Sequence, residues 1–208
     1  MDQYWPQQPR NVFEVFWLLR YHVSSKGLPP NVAIRILDSS KYWLKSTTSR
    51  KEHIAFDEEA AKRIGKYLTS EPIRGRLRAP VREVRFTIES HDQGWSSFPE
   101  FHGTFAHSWT WFEVAVQKQG DRIFDFGDES QMLTPNLHAI TKSSRHRIIY
   151  ECSPCTTVHR KWLKNLEAGD QISISAKARY PGWVNFVEGA SIEIFTTCLV
   201  DQDGSLAE

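Results

Sequence analysis

The sequence predicts a mainly β fold: an antiparallel β-sandwich over residues 80–200, preceded by an α-helical segment over residues 11–70. Three observations lead there. Apolar side chains recur at helical spacing before Thr69 and at a period of two after Pro80. At least six alternating runs then follow, separated by turn-rich loops, and alternation gives each strand one wet and one packed face. Aromatic residues make up 12% of the chain, with 8 Trp, a large stock for a β core and for ligand-facing surfaces.

Residues 1–10 are rich in Gln and Pro and read as a loose tail. From Asn11, a suitable N-cap, Val12, Phe13, Phe16, Trp17 and Leu19 recur as one helix that should end near Ser24–Gly27. A second helix should start at Pro29 or Pro30, because proline suits the first turn. It places Val32, Ile36 and Leu37 on one face, with Tyr42 and Trp43 beyond. A third helix should run from Asp57 to Leu68, capped by Asp57, with Glu58 and Glu59 at its positive end. Residues 69–80, TSEPIRGRLRAP, read as a connection.

The strand pattern begins with Val84, Phe86 and Ile88 alternating with Arg85, Thr87 and Glu89. Phe112, Val114 and Val116 alternate with Trp111, Glu113 and Ala115, and Ile123–Phe126 is a short candidate. His146, Ile148 and Tyr150 follow, then Ile172, Ile174, Ala176 and Ala178, and last Ile192 and Ile194. A short helix or turn fits residues 161–166.

Charge and cysteine content narrow the function classes. The formal net charge is +1, from 26 basic and 25 acidic residues, which gives no global drive toward nucleic acid or anionic membrane. Two basic runs, Arg74 to Arg85 and Lys142 to Arg147, come with no nucleic-acid-reading motif. No stretch approaches the ~18–20 apolar residues of a membrane span. Three cysteines are too few and too odd for a disulfide framework, and the first residues lack a signal-peptide pattern. The expectation is an intracellular protein, cytoplasmic or nuclear, with reduced thiols.

Two resemblances carry further expectations. The phrases SHDQGW (residues 90–95), SWTWFEV (108–114) and WLKNLEAGDQISISAKARYPGWVNFVEGASIEIF (162–195) resemble galactose-binding-like jelly rolls. In those, a turn built like Leu166, Gly169 and Asp170 leads into paired strands separated by a Gly-Trp loop, here Gly182 and Trp183. Residues 82–199 are also similar to a fungal family carrying such a sandwich. The resemblance implies a jelly-roll topology with a site built by loops at one end. Upstream, LPPNVAIRIL (residues 28–37) resembles the opening helix of an F-box. That likeness implies partner binding through Leu28, Pro29, Val32, Ile36 and Leu37, the partner being a ubiquitin-ligase adaptor. The later box helices are not recognisable, and Lys41, Lys45, Arg50 and Lys51 intrude.

The candidate ligand site is the loop after the first strand. His91, Asp92 and Gln93 offer hydrogen bonds, and Trp95 offers an apolar wall; Trp183 and Asn185 form a second wall. The expected ligand is a small molecule, glycan or protein, with no cofactor. Cys152, Cys155 and His159 stand at a spacing that can share zinc, with His146, His138 or Cys198 as a fourth ligand, but the set is incomplete. Serine-nucleophile elbows, zincin helices and phosphate loops are absent. The one catalytic alternative is a carbohydrate hydrolase using Glu89 and Glu113 as its paired carboxylates. Non-catalytic recognition is the expected function, with a ubiquitin-ligase adaptor as the alternative.

Overall fold

The computed structural model describes residues 5–6, 8–23, 25–74, 80–119, 123–124, 132–151 and 157–197. In chain order its elements are α1 (Pro9–Tyr21), α2 (Pro30–Ser39), β1 (Leu44–Arg50), β2 (Ile54–Phe56), α3 (Glu58–Ile64), β3 (Leu68–Thr69), β4 (Val81–His91), β5 (Thr110–Gln117), β6 (Ile123–Phe124), β7 (Met132–Pro135), β8 (Ser144–Glu151), α4 (Thr157–Lys164), β9 (Gln171–Ala178) and β10 (Asn185–Thr196).

Alternation sets the architecture. On β4, Val84, Phe86, Ile88 and Ser90 are buried, while Arg85, Thr87 and Glu89 lie half-buried on the other face. The same rule holds on β5 and β9. These strands assemble into two antiparallel sheets. The first has the order β1-β10-β4-β8, with β2 also on β10. The second has the order β3-β9-β5-β6, with β7 also on β5. Phe86, Ile88, Ile192 and Ile194 of the first sheet meet Phe112, Val114, Ile172 and Ile174 of the second in one buried cluster. Burying each such side chain contributes about 1.5–3 kcal/mol.

One end of this core is closed by apolar residues. Trp162 and Leu163 of α4, and Leu166 just beyond it, are buried there. Trp162 meets the Tyr150 ring edge-on at 5.3 Å. The opposite end carries the loops after β4, before β8 and between β9 and β10.

Residues 44–69 depart from the predicted helical segment. They hold β1, β2, α3 and β3, so the first sheet begins at Leu44, not after Pro80. Leu44-Lys-Ser-Thr-Thr-Ser-Arg50 has almost no apolar alternation, because it is an edge strand fixed by its backbone ladder to β10. The third helix stops early. Asp57 does cap it, accepting from the Ala60 N–H at 2.7 Å, but Gly65 turns the chain at φ +70°. Tyr67 and Leu68 then enter the core, and the Tyr67 hydroxyl donates to the Glu52 carbonyl at 2.7 Å.

At the N-terminal side α1 begins two residues before Asn11. Asn11 serves the helix from its third position, accepting from the Gln8 N–H at 3.2 Å. Val12 and Phe16 of α1 pack on Ala33 and Leu37 of α2 in a second, separate cluster. Among the described residues no helix is long and apolar enough to cross a membrane.

Candidate functional site at the loop end of the sandwich

The six residues singled out in the sequence gather at one end of the sandwich but divide into three roles. Asp92 follows β4 and is fully buried. Its carboxylate accepts three backbone N–H groups: Gly94 at 2.8 Å, Ala139 at 2.6 Å and Ile140 at 2.9 Å. Burial pushes its pKa up, while the three N–H donors and nearby His138 pull against that shift. Gly94 is required by this turn. Its φ is +82°, and an added methyl would stand 2.0 Å from the Thr141 methyl.

Asn185 opens β10 and is also fully buried. Its amide donates to the carbonyls of Trp111 at 3.1 Å and Lys177 at 3.2 Å, both on the second sheet. Its oxygen accepts from Asn136 Nδ2 at 2.9 Å. Asn136 also donates to Thr110 Oγ1 at 3.0 Å and accepts from Ser90 Oγ at 2.7 Å. Both N–H donors of each amide are thereby used, and each amide oxygen has a partner. Gln93 bridges loops instead: its Nε2 donates to the Trp95 carbonyl at 2.8 Å, and its Oε1 accepts from the Val184 N–H at 3.2 Å.

The sequence expectation set Asp92 and Asn185 against a ligand; in the structure both are buried and hydrogen-bonded to groups of the protein itself. His91, the last residue of β4, lies on the other face of its strand: its ring stacks on Phe186 at 4.9 Å, and its Nδ1 lies 2.7 Å from the Asp92 carbonyl oxygen.

The outward-facing groups are aromatic. Trp95 is 61% exposed, and Phe98, Phe105 and Tyr180 are also exposed. The Trp95 ring lies over Gly182, where a methyl would meet it at 3.4 Å. Trp183 is half-buried and meets His138 edge-on at 5.2 Å. Trp109 and Tyr180 form a perpendicular pair at 4.8 Å.

His138 is the centre that sequence reasoning missed, having placed it only among fourth zinc ligands. It is fully buried. Its Nδ1 lies 2.9 Å from the His107 carbonyl, which can only accept, so Nδ1 carries the proton. Its Nε2 lies 2.7 Å from Ser96 Oγ, within hydrogen-bond distance. Ser96 in turn accepts from the Phe98 N–H at 2.9 Å. His138 thus fixes the loop that presents Trp95 and Phe98. The signal available in the sequence was Pro135-Asn136, a turn placing two polar side chains between strands.

Backbone strain converges on the same end. Four non-glycine residues among those described have positive φ: Lys41, His107, Ala139 and Tyr180. The last three belong to these loops. His107 supplies the carbonyl to His138, and Ala139 supplies an N–H to Asp92. Such conformations cost about 1–3 kcal/mol each and persist where surrounding bonds enforce them.

The other chemical candidates separate. Glu89 and Glu113 lie on the outward faces of different sheets and pair with Arg145 and Lys177. Packed sheets stand about 10 Å apart, so these carboxylates do not flank one bond. Cys152, Cys155 and Cys198 lie outside the described residues. His159 stacks on Tyr150 at 4.0 Å, and burial holds its pKa down. Among the described residues no group of three or more His, Cys, Asp or Glu side chains converges as metal ligands. The F-box-like residues also divide: Leu37 is buried against α1, whereas Val32 and Ile36 are exposed.

No protein-family model matches the sequence, and no curated protein matches it at a significant level.

Two outcomes follow from the buried groups. Asp92→Asn removes one acceptor oxygen and adds an unpaired donor, so urea denaturation should show a loss of about 2–3 kcal/mol. His146 lies buried near Phe105 with Nε2 unbonded, and burial holds its pKa down. The unfolded chain therefore takes up a proton that the folded chain resists. This contribution is complete above about pH 6.5, the unfolded value, and is lost as pH falls below it through the lower pKa of the folded state. His146→Leu should flatten stability against pH on that acid side; an unchanged slope would exclude His146 as its source.

Proposed function

We propose that this chain is a non-catalytic recognition module whose ligand lies on the aromatic rim at the loop end, a carbohydrate being the favoured class. The carrying observation is the division of labour there. Asp92, Asn136, Asn185 and His138 are committed to holding loops, while Trp95, Phe98 and Tyr180 are exposed to solvent. Exposed, pre-positioned aromatic rings suit a ligand with an apolar face and polar edges, such as a pyranose. A rigid frame lowers the entropy lost on binding. The fold that fits this use is the galactose-binding-like jelly roll, whose site is also built from loops at one end.

A glycan array, followed by calorimetry on the saccharides it selects, tests the reading. Trp95→Ala should weaken binding roughly tenfold while leaving the melting transition in place. If Trp95→Ala and Trp183→Ala both keep full affinity, the rim is not the site.

A second reading has its own observation. Val32 and Ile36 on α2, with Trp17, Leu18 and Tyr21 on α1, are exposed apolar side chains on one helical pair. Such a surface suits a protein partner, and the F-box-like stretch favours a ubiquitin-ligase adaptor as that partner. Leu37 is unsuitable as a probe because it supports the helix pair. Val32→Asp with Ile36→Asp should abolish co-purification of the adaptor and leave the circular dichroism spectrum unchanged. Retained co-purification would remove α2 as the contact.

A further inference from the structure

At the end of the sandwich remote from the aromatic rim, a cleft of about 560 Å³ opens between α2 and the first sheet. Arg35, Asp38, Lys41, Trp43, Arg82 and Glu151 line it. Its size falls within the ~300–1,000 Å³ of ligand-holding clefts. The carboxylates in it are already paired. Asp38 accepts from Trp43 Nε1 at 2.8 Å and from Arg82 Nε at 3.3 Å. Glu151 lies 3.4 Å from the Lys41 ammonium, which also binds the buried Glu83 at 2.8 Å. Lys41 reaches both from a left-handed backbone, φ +52°, a conformation that non-glycine residues seldom adopt. These pairs leave out Arg35, so the cleft carries an excess of positive charge on α2.

Next to it lies an apolar shelf of about 500 Å³ formed by Val32 and Ile36, sharing Arg35 and Ser39 with the cleft. The joined surface sets aliphatic side chains beside a guanidinium. Its complement is a peptide with aliphatic residues next to carboxylates, since arginine binds carboxylate through two parallel hydrogen bonds.

We propose that this surface docks the chain's own residues 198–208. Their sequence, CLVDQDGSLAE, interleaves Leu199, Val200 and Leu206 with Asp201, Asp203 and Glu208, and contains no Lys or Arg. The chain also reaches them at the right place. The Thr197 N–H donates to the Pro80 carbonyl at 2.9 Å. Thr196 pairs with Leu44 on one side and Val81 on the other. The sequence neighbours of those partners, Trp43 and Arg82, line the cleft. Asp201 is four residues past Thr197, a span of at most about 14 Å.

Limited proteolysis of the full chain, followed by intact mass, reads the docking directly, because cleavage within residues 198–208 tracks their undocked fraction. Arg35 is exposed on α2, so Arg35→Glu should leave the fold intact; cleavage confined to those residues confirms that it does. Arg35→Glu should speed their removal about tenfold, the effect of replacing one close charge pair by a repulsive one. Adding Asp201→Lys and Asp203→Lys to Arg35→Glu should restore slow cleavage. Equal rates in the native chain and Arg35→Glu overturn the proposal. So does a cleft that binds a labelled acidic peptide from another chain while its own residues 198–208 are cut at the rate of the free peptide.

Discussion

The rest of the structure depends on a buried amide and hydroxyl network that joins the two sheets where the apolar core ends. Asn185 belongs to the first sheet but donates to the Trp111 and Lys177 carbonyls of the second. Asn136 sits between them and ties in Ser90 and Thr110. A single unmet donor in such a place costs about 1–3 kcal/mol, so the network is stable only when complete. Completeness requires all three loop ends to hold one geometry. Asp92 extends the constraint by taking three backbone donors from two loops.

That constraint divides the molecule chemically. At the opposite end Trp162, Leu163 and Leu166 close the core with apolar contact, which is stable without any outward-facing specificity. At the loop end the enclosed volume is occupied by polar groups bonded to one another, and the large aromatic rings are left outside. Strain at His107, Ala139 and Tyr180 is held in place by this arrangement. A rigid frame holding exposed rings in fixed positions is the feature on which the proposed recognition role rests.

The helical pair is attached by a different kind of force. Its core of Val12, Phe16, Ala33 and Leu37 is separate from the core of the sandwich. Contact between the two runs through Tyr42 and Leu44 and through charged bonds: Lys41 to buried Glu83, and Asp38 to Arg82. Glu83 also pairs with Arg85, whose guanidinium lies 4.5 Å from the Phe195 ring centre. Directional charge pairing orients α2 on the sheet while leaving Val32, Ile36 and Arg35 exposed. The cleft at this junction follows from that mode of attachment, since ion pairs do not close space as apolar packing does.

What the sequence determined by itself was the set of strands whose buried faces are apolar. On β4, β5, β8, β9 and β10 a period of two is written in side chains, because each must present one face to the core. It also marked the loop holding Asp92, Gln93 and Trp95. The tertiary structure decided which strands complete the sheets and what the polar residues do. β1 and β3 carry little apolar pattern, and their strand character comes from ladders to β10 and β9. Asp92 and Asn185 look alike as ligand-binding or structural groups until their partners are known. Those partners, Ala139 and Ile140 for one and Asn136 for the other, lie tens of residues away in the chain. A side chain's hydrogen-bonding capacity is local, but the burial that decides who uses it is made by contacts distant in sequence.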